Sequence, residues 1–241
     1  MPTLYLVATP IGNLEDITFR AVRILREVSL IAAEDTRKTR RLLARYEIDT
    51  PLTSYHEHNK KLKTPKVLKA FAEGDIAIVS EAGMPGINDP GYALVEAALE
   101  NNIKVVPIPG PSAIPTALAA SGLTAEQFVY LGFLPRKAGQ RRKLLESVAN
   151  QPRSIVAFES PHRLPGAFKD IQAVMGERRL AVCREMTKLH EEIWRGTAAE
   201  AVEHFASPKG EFTLVIEGKP RKAESRSKSR SDDDIRLFPP Q

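Results

Sequence analysis

The sequence predicts an α/β protein built as two α/β domains. The first, residues 1–120, has a mostly parallel sheet, and the second, residues 121–218, a mixed sheet. Three observations predict this. Short apolar runs alternate with helical stretches through the first half, the pattern of a parallel sheet covered on both faces. Around Ser121–Gln127 that rhythm breaks, and five strand candidates beyond it share three helices. Two of those candidates, "RLAVCRE" and "EEIWRG", follow each other with no helix between, which favours an antiparallel pair.

Taken in order, "TLYLVA" is a strand and "ITFRAVRILREV" an amphipathic helix with Phe19, Val22 and Leu25 on its inner side. "SLIAA" is a second strand, followed by the helix "TRKTRRLLARY" with a strongly basic polar face. "HNKKLKTPKVLKAFAEG" gives a third helix that Gly74 should stop. "DIAIVS" is a continuous apolar strand. Asp89 and Pro90 then suit the cap and first position of the next helix, and "IKVVPIP" is another strand. In the second half "FVYLGFLP", "SIVAFES", "RLAVCRE", "EEIWRG" and "EFTLVIEG" are the strands. "TAAEAVEHFA" opens with Thr197 and Glu200 at capping-box spacing. From Lys219 onward the chain is nearly devoid of apolar residues until its end. A disordered charged tail over 219–241, adding non-specific RNA affinity, is expected there.

At 241 residues, with 42% hydrophobic and 27% charged residues, the chain has the make-up of an ordinary soluble protein. Its net charge of +5 favours anionic partners, nucleic acid foremost. The single cysteine, Cys183, excludes an internal disulfide and fits a reducing, cytoplasmic compartment; its place in a strand predicts a buried, inert thiol. No signal peptide is evident at the start. Residues 105–125 carry no charge, but four prolines there read as strand, loop and helix start, so no membrane span is expected.

The glycine fingerprint of dinucleotide-binding folds is absent: the first strand ends in "ATPIGN", with one glycine. No P-loop or G-x-S-x-G elbow is present either. Instead three Gly/Pro-rich loops follow strands: "TPIGN" (9–13), "SEAGMPGINDPG" (80–91) and "PGPSA" (109–113). In an open parallel sheet such loops share the carboxyl edge, where ligands bind. Glycine lets backbone approach a ligand closely and proline stiffens the wall. One such loop is turn chemistry; three on one edge point to a ligand.

"VATPIGNLEDIT", "IAAEDTR", "SEAGMPGINDPG", "VVPIPGPSA", "GFLPRK", "ESPHR" and "REMTKLHEE" resemble, in order and spacing, the bacterial small-subunit ribosomal RNA cytidine 2′-O-methyltransferases of the tetrapyrrole-methylase superfamily. The resemblance covers about residues 3–218. It implies an S-adenosylmethionine-dependent enzyme, usually a homodimer, with the cofactor in a cleft between two α/β domains. It implies cofactor contacts from Pro10, Gly12, Glu81, Ala82, Gly83, Met84, Pro85, Asn88, Asp89, Pro111, Ser112 and Ala113. Phe133, Leu134, Phe158, Glu185 and Thr213 complete that set from the second half. The family loop more commonly reads S-D-A-G-T-P; here Glu81 and Met84 stand for the aspartate and threonine. Methionine has no hydroxyl to offer, so contact at position 84 rests on backbone or thioether.

Transfer of a methyl group to a ribose hydroxyl needs alignment and help for the departing proton. "AEDTR" offers Glu34, Asp35 and Arg37: a carboxylate to take the proton or orient the ribose, and an arginine to grip a phosphate. Asp35 or Thr36 equally suits a simple helix cap. Lys188 in "REMTK" suits a base if desolvated, an electrostatic anchor, or a solvated loop charge. Substrate contacts are expected from Tyr55, His56, Asn59, Arg136, Lys137, Glu159, Ser160, His162 and Arg163. The two histidines of "YHEHN" lack the further ligands zinc needs, so no metal is expected. Arg37, Lys38, Arg40, Arg41, Lys60, Lys61, Arg136, Lys137, Arg141, Arg142 and Lys143 are expected to track RNA phosphates. The leading expectation is methylation of a cytidine ribose in small-subunit ribosomal RNA, within the subunit or its precursor. The rivals are a methylase of a tetrapyrrole or other small substrate, and a non-catalytic RNA-binding assembly factor.

Overall fold

The computed structural model describes residues 2–220; the expected tail lies outside them from residue 221 on. The first half runs β1 (Thr3–Val7), α1 (Phe19–Glu27), β2 (Leu30–Ala33), α2 (Thr36–Arg45), β3 (Leu52–Ser54), α3 (Lys60–Ala70), β4 (Ile76–Val79), α4 (Gly91–Glu100), β5 (Lys104–Ile108) and α5 (Ala113–Ser121). The second runs β6 (Phe128–Phe133), α6 (Ala138–Val148), β7 (Ser154–Glu159), α7 (Leu164–Met175), β8 (Arg179–Arg184), β9 (Glu192–Thr197), α8 (Ala198–His204) and β10 (Phe212–Ile216).

The five strands of the first sheet stand in the order β3-β2-β4-β1-β5, all parallel. Helices cover both faces. Ala21, Ile24, Leu25 and Leu43 pack on one side, Val67, Phe71, Leu94 and Ala98 on the other. Covered twice, β4 is buried at all four positions, which is why its sequence is unbroken Ile-Ala-Ile-Val. This order explains the three loops: β4, β1 and β5 are neighbours, so their loops leave the carboxyl edge side by side. Thr9 and Gly83 seal the first two loops together by exchanging amide bonds of 2.9 Å. Gly83 holds φ at +83°, a conformation that side-chain-bearing residues rarely adopt.

The second sheet, β6-β7-β10-β8-β9, is mixed: β6 and β7 are parallel, the remaining pairs antiparallel. The β8–β9 pair and the capping box at Thr197 form as the sequence predicts. One face packs on α6, α7 and α8 through Leu145, Phe168, Ile171 and Phe205. The other receives α5 through Ile114, Ala117 and Leu118. The uncharged segment 105–125 is β5, a loop and α5, as expected; among the described residues no helix is long and apolar enough to cross a membrane.

Several local expectations are corrected. Phe19 is not on the inner side of α1 but 98% exposed. It occupies the first position after the Thr18 cap, and the buried stripe starts two residues later at Ala21, continuing to Ile24 and Leu25. Helix α3 ends at Ala70 and Phe71, three residues before Gly74. At α4, Pro90 is the cap and Asp89 precedes it, its carboxylate accepting from the Gly86 and Gly91 amides. Strand β3 had no signal in the sequence, being three half-buried residues at the sheet edge. Arg141 does not face solvent: buried, it bonds Asp170 and the carbonyls of Pro135 and Arg136.

Candidate active site

Where the carboxyl edge of the first sheet meets the second, a cavity of about 370 Å³ opens, within the usual size of small-molecule sites. From the first half it is lined by Ile11, Glu34, the β4–α4 loop from Ser80 to Met84 with Ile87–Asp89, and Ser112–Ile114. The second half contributes Phe133, the β7 end from Phe158 to Pro161, Cys183, Met186 and Gly210–Thr213. All three loops singled out in the sequence therefore reach one hole.

The first-half wall is acidic. The Glu81 amide donates to Glu34 Oε2 at 3.0 Å, and the Glu81 carboxylate pairs with Lys38. Burial pushes the Glu34 carboxyl above its ordinary value; the Glu81 amide opposes this, while the charges of Asp89, Glu81 and Asp35 add to it. Burial raises Asp89 as well, against the loop amides it accepts from. Asn88 holds φ at +61°, and its amide donates to the Tyr130 hydroxyl at 2.7 Å. Such strain in a non-glycine residue persists only where surrounding contacts enforce it. Burial lifts that tyrosine to about 12 and the Cys183 thiol to about 11, so neither ionises near neutral pH.

The second-half wall sets the rings of Phe133, Phe158 and Phe212 beside polar Ser160 and Thr213, the exposed Glu211 and one buried acid, Glu159. Phe158 stacks edge-on with Phe133 at 5.5 Å and with Tyr130 at 5.3 Å. Phe133 remains 56% exposed, with its ring in the cavity wall. Glu159 is buried beside them; its Oε1 accepts from the Ser160 amide at 2.7 Å and pairs with Arg163 at 2.6 Å.

The remaining candidates fall outside the lining. Pro10, Pro85 and Leu134 are buried behind it, and Pro111 is half-buried beside Ser112. Gly12 packs on the β8–β9 loop, where an added Cβ would lie 2.5 Å from Lys188 Cγ. Asp35 caps α2, accepting from the Arg37 and Lys38 amides, and Arg37 extends into solvent. Lys188 is held between Glu185 at 2.9 Å and Glu211 at 3.0 Å. Burial alone would lower its pKa, but these two carboxylates outweigh that and raise it. An ammonium so paired is no base, so that role for Lys188 is set aside.

Tyr55 is a core residue, fully buried with its hydroxyl bonded to Thr64, and unavailable to substrate. Asn59 closes the turn before α3 through the His56 amide and Ser54. Arg163 donates to the Leu134 carbonyl and Ser160 as well as Glu159, whereas Arg136, Lys137 and His162 are exposed. Ile11, Ser80, Ile87, Ile114, Pro161, Cys183, Met186 and Gly210–Phe212 also line the cavity, although no motif in the sequence marks them individually for it. Among the described residues no cluster of His, Cys, Asp or Glu could hold a metal ion.

The family model of the tetrapyrrole (corrin/porphyrin) methylases matches residues 3–202. The chain belongs to this methylase family. Within it, the ribosomal RNA small subunit methyltransferase I of Halalkalibacterium halodurans is 52% identical, over 92% of this chain and 78% of that protein. The methyltransferase of the same name from Thermotoga maritima is 50% identical, over 91% of this chain and all of its own length. Among solved structures, uroporphyrin-III C-methyltransferase from Thermus thermophilus, complexed with S-adenosyl homocysteine, superimposes with a TM-score of 0.64 at 18% identity. It covers 89% of this chain and 97% of that one, and so shares the methylase fold of two α/β units.

Proposed function

We propose that this methylase takes S-adenosylmethionine in the cavity and methylates the ribose 2′-hydroxyl of a cytidine in small-subunit ribosomal RNA. The observation that carries this is the convergence of three Gly/Pro loops and the second sheet on one cavity, in a chain half-identical to enzymes named as ribosomal RNA small subunit methyltransferases. A cavity of this size, lined by Glu34, Glu81 and Asp89 and by the rings of Phe133 and Phe158, suits a molecule with a cationic part and a flat heterocycle. When bound, S-adenosylmethionine supplies an electrophilic methyl group.

The chain's own residues supply the rest. Glu34 and Asp89 face the positive charge, and Asn88 and Ser112–Ala113 shape the rim. Glu34, with its raised pKa, takes the ribose proton or orients the sugar. Arg37, Arg136 and Lys137, all exposed, hold phosphates. We place the work on the subunit or its precursor, in the cytoplasm. We take the enzyme as a homodimer; Phe19 and Leu189, at 98% and 93% exposure, offer surface a second copy would cover.

The test is to incubate the protein with labelled S-adenosylmethionine and, separately, immature small subunits, naked RNA and tetrapyrrole precursors. Label that survives alkaline digestion of the RNA as a protected dinucleotide is the expected result. Label confined to a tetrapyrrole reassigns the substrate, and RNA retention with no transfer favours a binding factor.

A further inference from the structure

The second carboxylate oxygen of Glu159 has no role in anything described so far. Oε1 is engaged by the Ser160 amide and the Arg163 guanidinium. Oε2 is shut off from solvent and meets no hydrogen-bond donor among the described residues. The side chain is wholly buried, yet the residue lines the cavity. A buried carboxylate oxygen without a donor is costly, and functional sites are where such a cost is tolerated. Burial pushes this carboxyl upward, opposed by the Ser160 amide and by Arg163 and Arg141. The Arg163 guanidinium at 2.6 Å favours the ionised form, which is an acceptor only.

We propose that Glu159 is a specificity-determining residue: its Oε2 accepts a hydrogen bond from the exocyclic amino group of the target base. This rests on the RNA methyltransferase reading above and adds to it how the base is chosen. Carboxylates accept from the cytosine amino group, whereas uracil presents an oxygen at that position. Two lone pairs facing each other in a buried site reject the wrong base. The position suits RNA more than cofactor. Arg163 ties Glu159 to the Leu134 carbonyl at 3.0 Å, and the exposed Arg136 and Lys137 lie two and three residues further along the chain. A base at Glu159 thus has cationic side chains close by for its phosphates, and the Arg163 pair keeps the carboxylate from repelling them.

The experiment uses small subunits reconstituted with cytidine, uridine or a pyrimidinone lacking the 4-amino group at the target position, alongside calorimetry with S-adenosylmethionine. Wild type should methylate cytidine at least about tenfold faster than either substitute, the loss expected when a buried acceptor is left without its donor. Glu159→Gln, whose amide can turn to donate to uracil, should lose about tenfold on cytidine and narrow the cytidine-to-uridine preference by at least as much. Its cofactor affinity should stay within about twofold. If E159Q weakens cofactor binding tenfold and leaves base preference alone, Oε2 serves the cofactor and the proposal is overturned. Unchanged affinity and unchanged preference overturn it too, leaving a purely structural carboxylate. Should the variant fail to fold, the wild-type rate on the pyrimidinone decides: a rate equal to that on cytidine sinks the proposal. A wild type that labels no RNA at all brings down the methyltransferase reading and this inference together.

Discussion

Oε2 of Glu34 accepts the Glu81 amide at 3.0 Å, so the carboxylate just after β2 is tied to the loop that follows β4. Glu34→Gln keeps an oxygen for that amide and removes the charge. The folded pKa is raised, so this group's stabilising contribution is present below its ordinary 4.5 and is lost as pH rises through the raised value. At pH 7 the variant should therefore melt no lower than wild type. Its methylation rate should fall about a hundredfold, as for loss of a general base. The wild-type rate should also drop as acid protonates Glu34, and rate–pH profiles of the variant should lack that limb.

Arg37 extends into solvent, its guanidinium 3.5 Å from the Asp35 carboxylate. Arg37→Ala should leave the melting temperature unchanged while lowering kcat/KM on RNA about tenfold. Loss of one phosphate contact should also reduce the slope of log affinity against log salt by about one. Filter binding at several salt concentrations measures it.

Gly12 leaves no room for a side chain: an added Cβ would meet Lys188 Cγ at 2.5 Å, Thr187 Oγ1 at 2.6 Å and the Met186 carbonyl at 2.9 Å. Gly12→Ala should force the 9–13 loop away from the β8–β9 loop. About 1–3 kcal/mol of stability should be lost. Cofactor affinity should drop with it, because Ile11 and Met186 line the cavity from those two loops. Urea unfolding and calorimetry give the two numbers.

Asp170 joins α7 to α6 through Arg141 and Arg142, each pairing at 2.6 Å. Burial alone would raise its pKa, but the two guanidiniums more than offset that and lower it. The stabilisation is therefore present above its ordinary 3.8 and is lost as pH falls through the depressed value. Asp170→Ala strands the buried Arg141 and should cost about 3–5 kcal/mol in urea unfolding at pH 7. Its acid unfolding curve should be shallower than that of wild type.

The fold was legible where burial writes directly into the sequence. Ile76–Val79 lies between two helical layers and is apolar throughout; β8 and β9 betray their antiparallel pairing by lacking a helix between them. What could not be read is what depends on strand order. Nothing in the sequence says that β4, β1 and β5 are neighbours, or that Cys183 and Thr213 face each other across β8 and β10. The first-half wall was found because its loops carry Gly and Pro, whereas Met186 and Gly210–Phe212 reach the cavity only through tertiary pairing. Tyr55 misled because a tyrosine beside two histidines looks like a binding motif, while its ring lies in the core behind the sheet.

Strand β10 lies between β7 and β8, although it is the last strand described. Chains are synthesised from the N-terminus and fold largely as they emerge. Until residue 216 has emerged, β7 and β8 have a gap between them, and Phe212 and Thr213 are missing from the cavity. The last strand to be made is thus the keystone of the second sheet, and the hole at its edge has no finished wall until that strand slots in.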